Sequence, residues 1–500
     1  MLAATGQVSK PDMQTPSVIP KCHSMAKRTR SRWRRRAAVS DQCEVSAQAQ
    51  PFCVRILWIY ASRRRKIGPM QRDAEFSTLG FYEPGVFHLE IATREDLGDV
   101  NRLIANPTFL HEYVHFLQDA TTTHGLLNFI DYIEYLKNAI KKVTDDAETE
   151  FKTPVGISNT FEYLTNQELR KIYYGDPQCK ARVIRYSGYQ FATVLVNTNG
   201  GKTIPAKKYQ VKFYDEGAYS NEACHFGALH IKEYMAHAIQ NQFAPNSNHD
   251  HIPYVLVELL VQKEYPPLAV DTAFIVALCD ATLMHYHPAQ LFFDALERMK
   301  TLQWTPAGID SVYAFVFNGL KLEWNGRTET FASLFTNMVD LAIKSFADAL
   351  KDQHFKENDR WFKQVMNGAM NLRYQFNGFL SKLVSSQSQY SPMFAEIFNE
   401  MGTPFMTNAL YHGYFYPPAK LKLANIQPYY PWVFVAISKT FKGCKKCLLH
   451  SYCGALPGKN ITDHNCENSP WARIHLTEVC PYGLLWHTWG LTGKTPRSIS

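Results

Sequence analysis

The residues of this chain with the most specific chemistry are His111, Glu112 and His115, in the run HEYVH. On a helix, positions four apart lie on one face, so the rings of His111 and His115 can direct a nitrogen to one point. Two imidazoles placed in this way supply half of the ligands of a tetrahedral zinc ion, and a carboxylate beside them can take a proton from a water on the metal. The pattern predicts a hydrolytic metal site with Glu112 as the catalytic base.

The sequence around the motif predicts the helix that this geometry needs. Asn106 can act as its N-cap, and Pro107 suits the first helical position. An apolar stripe follows at helical spacing, formed by Phe109, Leu110, Val114 and Leu117. Asp119 lies one turn beyond His115, where we expect it to accept the second ring N–H of that histidine. The alternative is a purely structural helix, with two hydrogen-bonded histidines and a surface glutamate.

The order His-Glu-x-x-His resembles the signature of the zincin metallopeptidases. This resemblance implies a catalytic Zn²⁺, a third protein ligand, a peptide or protein substrate, and a strand before the motif helix whose edge binds that substrate. The metzincin branch has a third histidine soon after the motif, but here the next one, His124, lies nine residues past His115 and does not fit that spacing. The gluzincin branch instead takes a glutamate from a later helix, and we expect that arrangement.

Two glutamates in the segment NEACHFGALHIKEYMAHAIQ could be the third ligand. Glu233 lies in the middle of a predicted helix over 225–242, among apolar residues where an unpaired carboxylate would be costly. Glu222 lies at the predicted start of that helix, where the helix dipole already accounts for an acidic residue. We therefore predict Glu233 as the ligand and keep Glu222 as the alternative.

The end of the chain predicts a second metal site. Five of the 11 cysteines lie between residues 444 and 480, and three of them form a CxxC-x5-C pattern. Thiolates at such spacings hold structural zinc or an iron–sulfur cluster. The first four cysteines, Cys444, Cys447, Cys453 and Cys466, are the predicted ligands of a structural Zn²⁺, while unliganded thiols remain the alternative.

Charge and composition separate a tail from a globular body. Residues 1–72 hold 15 Lys and Arg against 3 Asp and Glu, whereas the other 428 residues hold 38 against 42, a net charge of −4. We interpret 1–72 as a disordered basic extension, so nucleic-acid binding is expected only through this arm. No apolar run approaches the roughly 20 residues that span a bilayer, and no secretory signal is recognisable, which favours a cytoplasmic protein.

Periodicity predicts a mainly α fold of the α+β class. A strand over 86–92 precedes the motif helix, and a long hairpin joins 182–196 to 209–214 through a Gly-Gly turn. From residue 225 onward, one helical pattern follows another. We predict a zincin-like helical metallohydrolase domain over 73–440 and a Cys-rich segment over 441–500.

These observations together predict a zinc-dependent hydrolase, most simply a peptidase. One alternative is a metal-dependent hydrolase that acts on a non-peptide amide or ester. A second is a regulatory or nucleic-acid-binding protein that uses the basic arm and the cysteines, with a purely structural motif helix.

Overall fold

The computed structural model describes residues 80–498, apart from 84, 157–160, 198–202, 246–248, 320–321, 325–326, 386–391, 411, 424–425, 428, 455–461 and 476–479. The predicted basic extension over 1–72 lies outside the described residues. The described chain is mainly helical with small sheets, which confirms the mainly α prediction.

The elements are as follows. The helices are α1 (Val100–Ile104), α2 (Pro107–Thr121), α3 (Thr123–Asp145), α4 (Phe161–Tyr174), α5 (Ala228–Phe243), α6 (His251–Tyr254), α7 (Leu256–Glu264), α8 (Thr272–Leu283), α9 (Pro288–Leu302), α10 (Ile309–Gly319), α11 (Phe331–Ala349), α12 (Lys356–Gln375), α13 (Phe379–Ser385), α14 (Pro392–Met401), α15 (Tyr430–Phe441), α16 (His450–Gly454), α17 (Asn465–Asn468) and α18 (Pro481–Thr488). The strands are β1 (Gly80–Glu83), β2 (His88–Ile91), β3 (Glu150–Thr153), β4 (Ile184–Asn197), β5 (Thr203–Asp215), β6 (Ser220–Phe226), β7 (Leu322–Trp324), β8 (Arg327–Glu329), β9 (Phe405–Asn408), β10 (Gly413–Tyr414) and β11 (Thr495–Ser498).

The motif helix α2 begins where the sequence predicted. The Asn106 side chain accepts a hydrogen bond from the Phe109 backbone N–H at 3.1 Å, and Pro107 occupies the first turn. Apolar residues bury most of the helix, so its position is set by the core. Helix α3 follows after a tight turn at Thr122, whose hydroxyl accepts from the Gly125 N–H.

Helix α12 holds the far end of α2 in place. The Arg373 guanidinium donates to the carbonyl of Thr121, the last residue of α2, at 2.6 Å and to its hydroxyl at 2.9 Å. It also forms a two-point ion pair with Asp280 of α8, at 2.6 and 2.8 Å. Both side chains are almost fully buried, so three helices share one polar contact inside the core.

The sheet beside α2 combines distant parts of the chain in the order β1–β2–β9–β10. Strand β2 is antiparallel to β1 and parallel to β9, with His88 opposite Phe405 and Ile91 opposite Asn408. Among the described residues, β1 has a partner strand on one side alone and is therefore an edge. The strand predicted over 86–92 thus exists, as β2, whereas its partner β9 was not predicted.

A three-stranded antiparallel sheet, β4–β5–β6, lies between α4 and α5 in the chain. The hairpin β4–β5 was predicted, but β6 was not. The prediction of a helix beginning at residue 225 was three residues early, because His225 pairs with Gln210 in the β5–β6 ladder and α5 begins only at Ala228. Gly227 separates strand from helix, and its Cα passes so close to Tyr174 and Gly175 that a side chain would meet their backbone at 2.4 Å.

The described part of 441–500 packs onto the rest of the protein. Strand β11 pairs in parallel with β3, and the indole N–H of Trp489 donates to the Ala349 carbonyl at 2.7 Å. The Tyr482 hydroxyl donates to the Thr440 hydroxyl at 3.0 Å in the buried interior. No helix in the described ranges combines the length and the apolar character needed to cross a bilayer.

Candidate metal centre

Two helices bring three metal-binding side chains to one point. His111 and His115 project from α2, and Glu233 projects from α5. The Oε2 atom of Glu233 lies 3.2 Å from His111 Nε2 and 3.5 Å from His115 Nε2. The ligand atoms of the three residues all lie within 4.8 Å of one another, and no other set of three or more such residues in the described chain is grouped in this way.

Each histidine uses its second ring nitrogen to contact a buried or half-buried glutamine. His115 Nδ1 lies 2.9 Å from Gln118 Oε1, and His111 Nδ1 lies 3.1 Å from Gln240 Oε1. The contacts of these two glutamines with the histidines were not predicted from the sequence. Gln118 was detectable, since it lies within one turn of His115 on α2, whereas Gln240 comes from α5 and has no sequence signal.

The predicted contact between Asp119 and His115 was wrong. Asp119 instead points toward α5 and forms a 2.7 Å ion pair with the Lys232 ammonium. Gln118 takes the expected place beside His115, because the intervening turn directs position 118 toward the ring. Asp119 therefore joins the two helices that carry the site and does not orient an imidazole.

The hydrogen bonds fix which nitrogen of His115 carries its proton. Gln118 donates through its amide nitrogen to the Lys232 carbonyl at 3.0 Å, so its oxygen faces the ring and can only accept. The proton therefore lies on Nδ1, and Nε2 of the neutral ring presents a lone pair to Glu233 at 3.5 Å. A lone pair and a carboxylate repel each other, so a positive charge, either a proton on Nε2 or a metal ion, must lie between these two atoms.

The pKa values of His115 and Glu233 follow from the same contact between the two side chains. Burial favours the neutral form of His115, but the Glu233 carboxylate outweighs it, so the pKa of His115 is raised. Burial also raises the pKa of Glu233, but the two histidines lower it to well below its ordinary value. Glu233 is thus held as an anion facing two nitrogen ligands, which is a suitable donor set for a divalent metal.

The distances from Glu233 to the two histidines are compatible with one shared metal ion. With ligand bonds of roughly 2.0–2.1 Å, the ligand atoms around a tetrahedral zinc ion lie roughly 3.3–3.4 Å apart. The two separations from Glu233 Oε2, 3.2 and 3.5 Å, lie on either side of that value. Three protein ligands leave the fourth position for water or substrate, as catalytic zinc sites do.

Glu112 and the three ligand residues line one open cavity of about 560 Å³. Burial raises the pKa of Glu112, although His115 and His111 nearby act in the opposite direction. Strand β1 forms another wall, and it approaches so closely that a side chain on Gly80 would meet Glu112 Cγ at 2.9 Å. The proposed base therefore lies between the metal ligands and a strand edge.

An aromatic and imidazole cluster borders the same cavity. The ring of Tyr254 lies edge-on to His111, with 5.9 Å between centroids, and also contacts His237 and His249. Burial raises the pKa of the Tyr254 hydroxyl, which therefore remains a proton donor. It lowers the pKa of His237 to about 4, so this ring is neutral near pH 7. Tyr254 had no sequence signal because the chain contains 27 tyrosines.

The other candidate ligands lie elsewhere. Glu222 is an exposed residue of β6, where it accepts a hydrogen bond from Ser220, so its predicted position at a helix start was wrong. His124 is buried on α3 and lines a different cavity, with Nδ1 3.4 Å from the Tyr286 carbonyl.

The C-terminal cysteines converge, but not as the predicted set. Cys447, Cys453 and Cys466 line one small cavity together with Cys480. Cys444 is absent from the cavity lining, and its thiol donates to the Lys446 carbonyl at 3.6 Å. The assignment of Cys444 to this set therefore stays a prediction, and Cys480 is an additional thiol that was not in the predicted set.

Comparisons with protein-family models, with curated proteins and with solved structures gave no match.

Proposed function

We propose that this protein is a zinc-dependent hydrolase, and specifically a peptidase. The observation that carries the proposal is the convergence of His111, His115 and Glu233 on one point at the wall of a cavity that also exposes Glu112. We infer further that α2, α5 and the β1–β2–β9–β10 sheet form a zincin-like core.

Zinc and Glu112 would have different roles in the hydrolysis. When bound, zinc lowers the pKa of a coordinated water toward ~7 and polarises a substrate carbonyl. Glu112 accepts a proton from the attacking water and then delivers it to the leaving amine. Burial favours this exchange because it raises the pKa of Glu112 above that of an ordinary glutamate.

The position of β1 favours a peptide substrate. Its residues Gly80–Glu83 line the cavity while their other side pairs with β2. An extended peptide can add to such an edge through main-chain hydrogen bonds, which would lay its backbone along Glu112. An ester or a small amide has no repeating backbone to use this edge.

Tyr254 is positioned to stabilise the oxyanion that forms during attack. It lines the cavity, contacts the His111 ring and keeps its hydroxyl proton. A hydroxyl that donates to developing negative charge lowers the barrier without contributing a metal ligand.

Metal content and activity of purified variants test the proposal. We expect Glu112→Gln to retain one zinc per chain and to lose roughly 10²- to 10⁴-fold in kcat on a quenched fluorescent peptide library. His111→Ala and Glu233→Gln should lose the zinc. Glu222→Gln is the matched control, because this exposed acid lies outside the site and should leave zinc and activity unchanged.

Other outcomes would select the alternatives. An active Glu112→Gln protein contradicts the proposed mechanism. Zinc-dependent hydrolysis of amide or ester substrates with no cleavage in the peptide library contradicts the peptidase assignment alone. Wild-type protein that binds no zinc at His111 contradicts the whole proposal.

A further inference from the structure

We propose that Cys447, Cys453, Cys466 and Cys480 together hold a four-iron, four-sulfide cluster. These four thiols come from different parts of the C-terminal segment, and all of them line one enclosed cavity. None of them is engaged in a disulfide. Four convergent thiolates are the usual protein ligands of such a cluster, with one cysteine for each iron.

The spacing of the thiols is too wide for a single zinc ion. Zn–S bonds of roughly 2.3 Å would place four tetrahedral sulfur atoms roughly 3.8 Å apart. Sulfur atoms at this separation leave no room for a water-sized sphere between them. Here the cysteines do not form a close ligand set like that of His111, His115 and Glu233, the one such set in the described chain. The cavity between them also admits a water-sized sphere, over about 10 Å³.

A cluster accounts for this separation. Each iron lies between its cysteine and the cluster centre, so the four sulfur ligands stand farther from the centre than around one ion. Leu449, Pro470 and Tyr482 cover part of the remaining wall of the cavity, where His450 and Arg473 also lie. Such a lining excludes water from the metal, and solvent exposure is one of the factors that set the potential of iron–sulfur centres.

Two features of the surroundings favour bound thiolates, although burial raises the pKa of Cys447, Cys453 and Cys466. Cys480 caps the N-terminus of α18, and its sulfur accepts the Gly483 N–H at 3.5 Å. A helix N-terminus stabilises a thiolate, and N–H···S hydrogen bonds are characteristic of cluster ligands. The Arg473 side chain lines the same cavity, is 4% exposed, and forms a 2.6 Å ion pair with Asp463. A buried cation beside four thiols offsets the negative charge that thiolate ligands bring.

A cluster would also link the short elements of this segment to one another. Its described elements α16 and α17 have five and four residues and contribute few apolar side chains to the core. Cys447 donates its backbone N–H to the Cys466 carbonyl at 2.8 Å, and this bond joins the two turns that carry these cysteines. Small elements without a core of their own are commonly held by bound metal.

Iron and sulfide analysis of the full chain tests this proposal. The protein is purified without oxygen, incubated with ferric iron, sulfide and dithiothreitol, which supplies the two electrons that convert four ferric ions to the mixed-valent cluster, and freed of excess reagent. We expect about four iron and about four acid-labile sulfide per chain, with broad visible absorption and an electron paramagnetic resonance signal after reduction. This stoichiometry is measured on wild-type protein, so it does not depend on whether a variant folds.

Variants then assign the ligands. Cys453→Ser and Cys480→Ser should lose most of the bound iron, whereas Cys444→Ser, the matched control outside the cavity, should retain it. His111→Ala should lose zinc but keep iron, so failure of the cluster and failure of the proposed hydrolase are distinguishable. One zinc per chain that is lost in Cys453→Ser overturns the proposal, as do disulfides among these cysteines. Iron lost equally in Cys444→Ser overturns the ligand assignment.

Discussion

The Lys232 ammonium lies 2.7 Å from the Asp119 carboxylate, and this ion pair joins α5 to α2 next to the proposed zinc ligands. Asp119 is 1% exposed, so its charge depends on Lys232 for compensation. We expect Lys232→Met to lower the free energy of unfolding by about 3–5 kcal/mol, because it leaves a buried carboxylate without its partner.

A double variant tests whether the stability lost in Lys232→Met comes from the unpaired charge of Asp119. Replacing both residues, as Lys232→Met with Asp119→Leu, should restore part of the lost stability, because two apolar side chains leave no unpaired charge. Urea unfolding of the two single variants and the double variant measures the coupling. A double variant less stable than Lys232→Met alone contradicts this account of the pair.

Gln118 should affect zinc affinity without being a ligand. Its oxygen holds the Nδ1 proton of His115, so that Nε2 is free to bind metal. We expect Gln118→Leu to weaken zinc binding by roughly 10- to 100-fold, the usual cost of losing such a contact. Competition with a zinc-binding dye measures the affinity, and Gln262→Leu, an exposed glutamine on α7, is the control. Equal affinity in both variants would show that Gln118 does not orient the ring.

Tyr254→Phe should lower kcat with little change in KM. The substitution removes only the hydroxyl and keeps the ring against His111. Loss of one oxyanion donor reduces kcat by roughly 10²- to 10³-fold. Steady-state kinetics on a cleaved peptide, with zinc content measured on the same sample, checks the prediction. Reduced zinc content in Tyr254→Phe would instead assign a structural role to the hydroxyl.

Gly80→Ala should impair catalysis through the approach of β1 to α2. An added Cβ would lie 2.5 Å from Thr108 Cγ2 and 2.9 Å from Glu112 Cγ, so either the strand or the base must move. We expect a loss in kcat/KM approaching ~10²-fold, since small displacements of a catalytic group have effects of this size. Gly413→Ala lies in the same sheet with nothing within 4 Å of the added carbon, and it should behave like wild type. Equal kinetics for the two variants would exclude a tight contact at Gly80.

Arg373 should stabilise the motif helix from its far end. Arg373→Met removes the contacts with Thr121 and leaves Asp280 buried without a cation. We expect a loss of about 3–5 kcal/mol in the free energy of unfolding. Arg373→Lys should recover only part of it, because an ammonium cannot reproduce the planar two-point geometry. Arg360→Met, on the exposed face of the same helix, should change stability by less than about 0.5 kcal/mol; a similar loss there would contradict the role assigned to Arg373.

The sequence predicted those parts of the site that depend on residues within a single helix. The cap at Asn106, the proline after it and the four-residue histidine spacing all act within one helix, so α2 was predictable. Glu233 was predictable as a buried acid on a helix, because burial of a carboxylate needs a reason. Its distance from the two histidines was not, since no local signal relates α5 to α2.

The remaining features depend on contacts between distant segments. Strand β9 pairs with β2 from more than 300 residues away, and four residues give little periodicity to detect. Strand β6 was mistaken for the start of α5, because its alternation is short and runs directly into helical spacing. The fold of the C-terminal segment places Cys480, and not Cys444, at the wall of the thiol cavity. Cysteine spacing alone cannot specify this arrangement.

The pairing of β2 with β9 has a consequence for synthesis of the chain. Strands β1 and β2 alone make a short two-stranded hairpin, which is marginally stable in water. The wall that faces Glu112 is therefore complete only after Asn408, the last residue of β9, has left the ribosome. A nascent chain can already contain His111, His115 and Glu233 while it still lacks an ordered cleft.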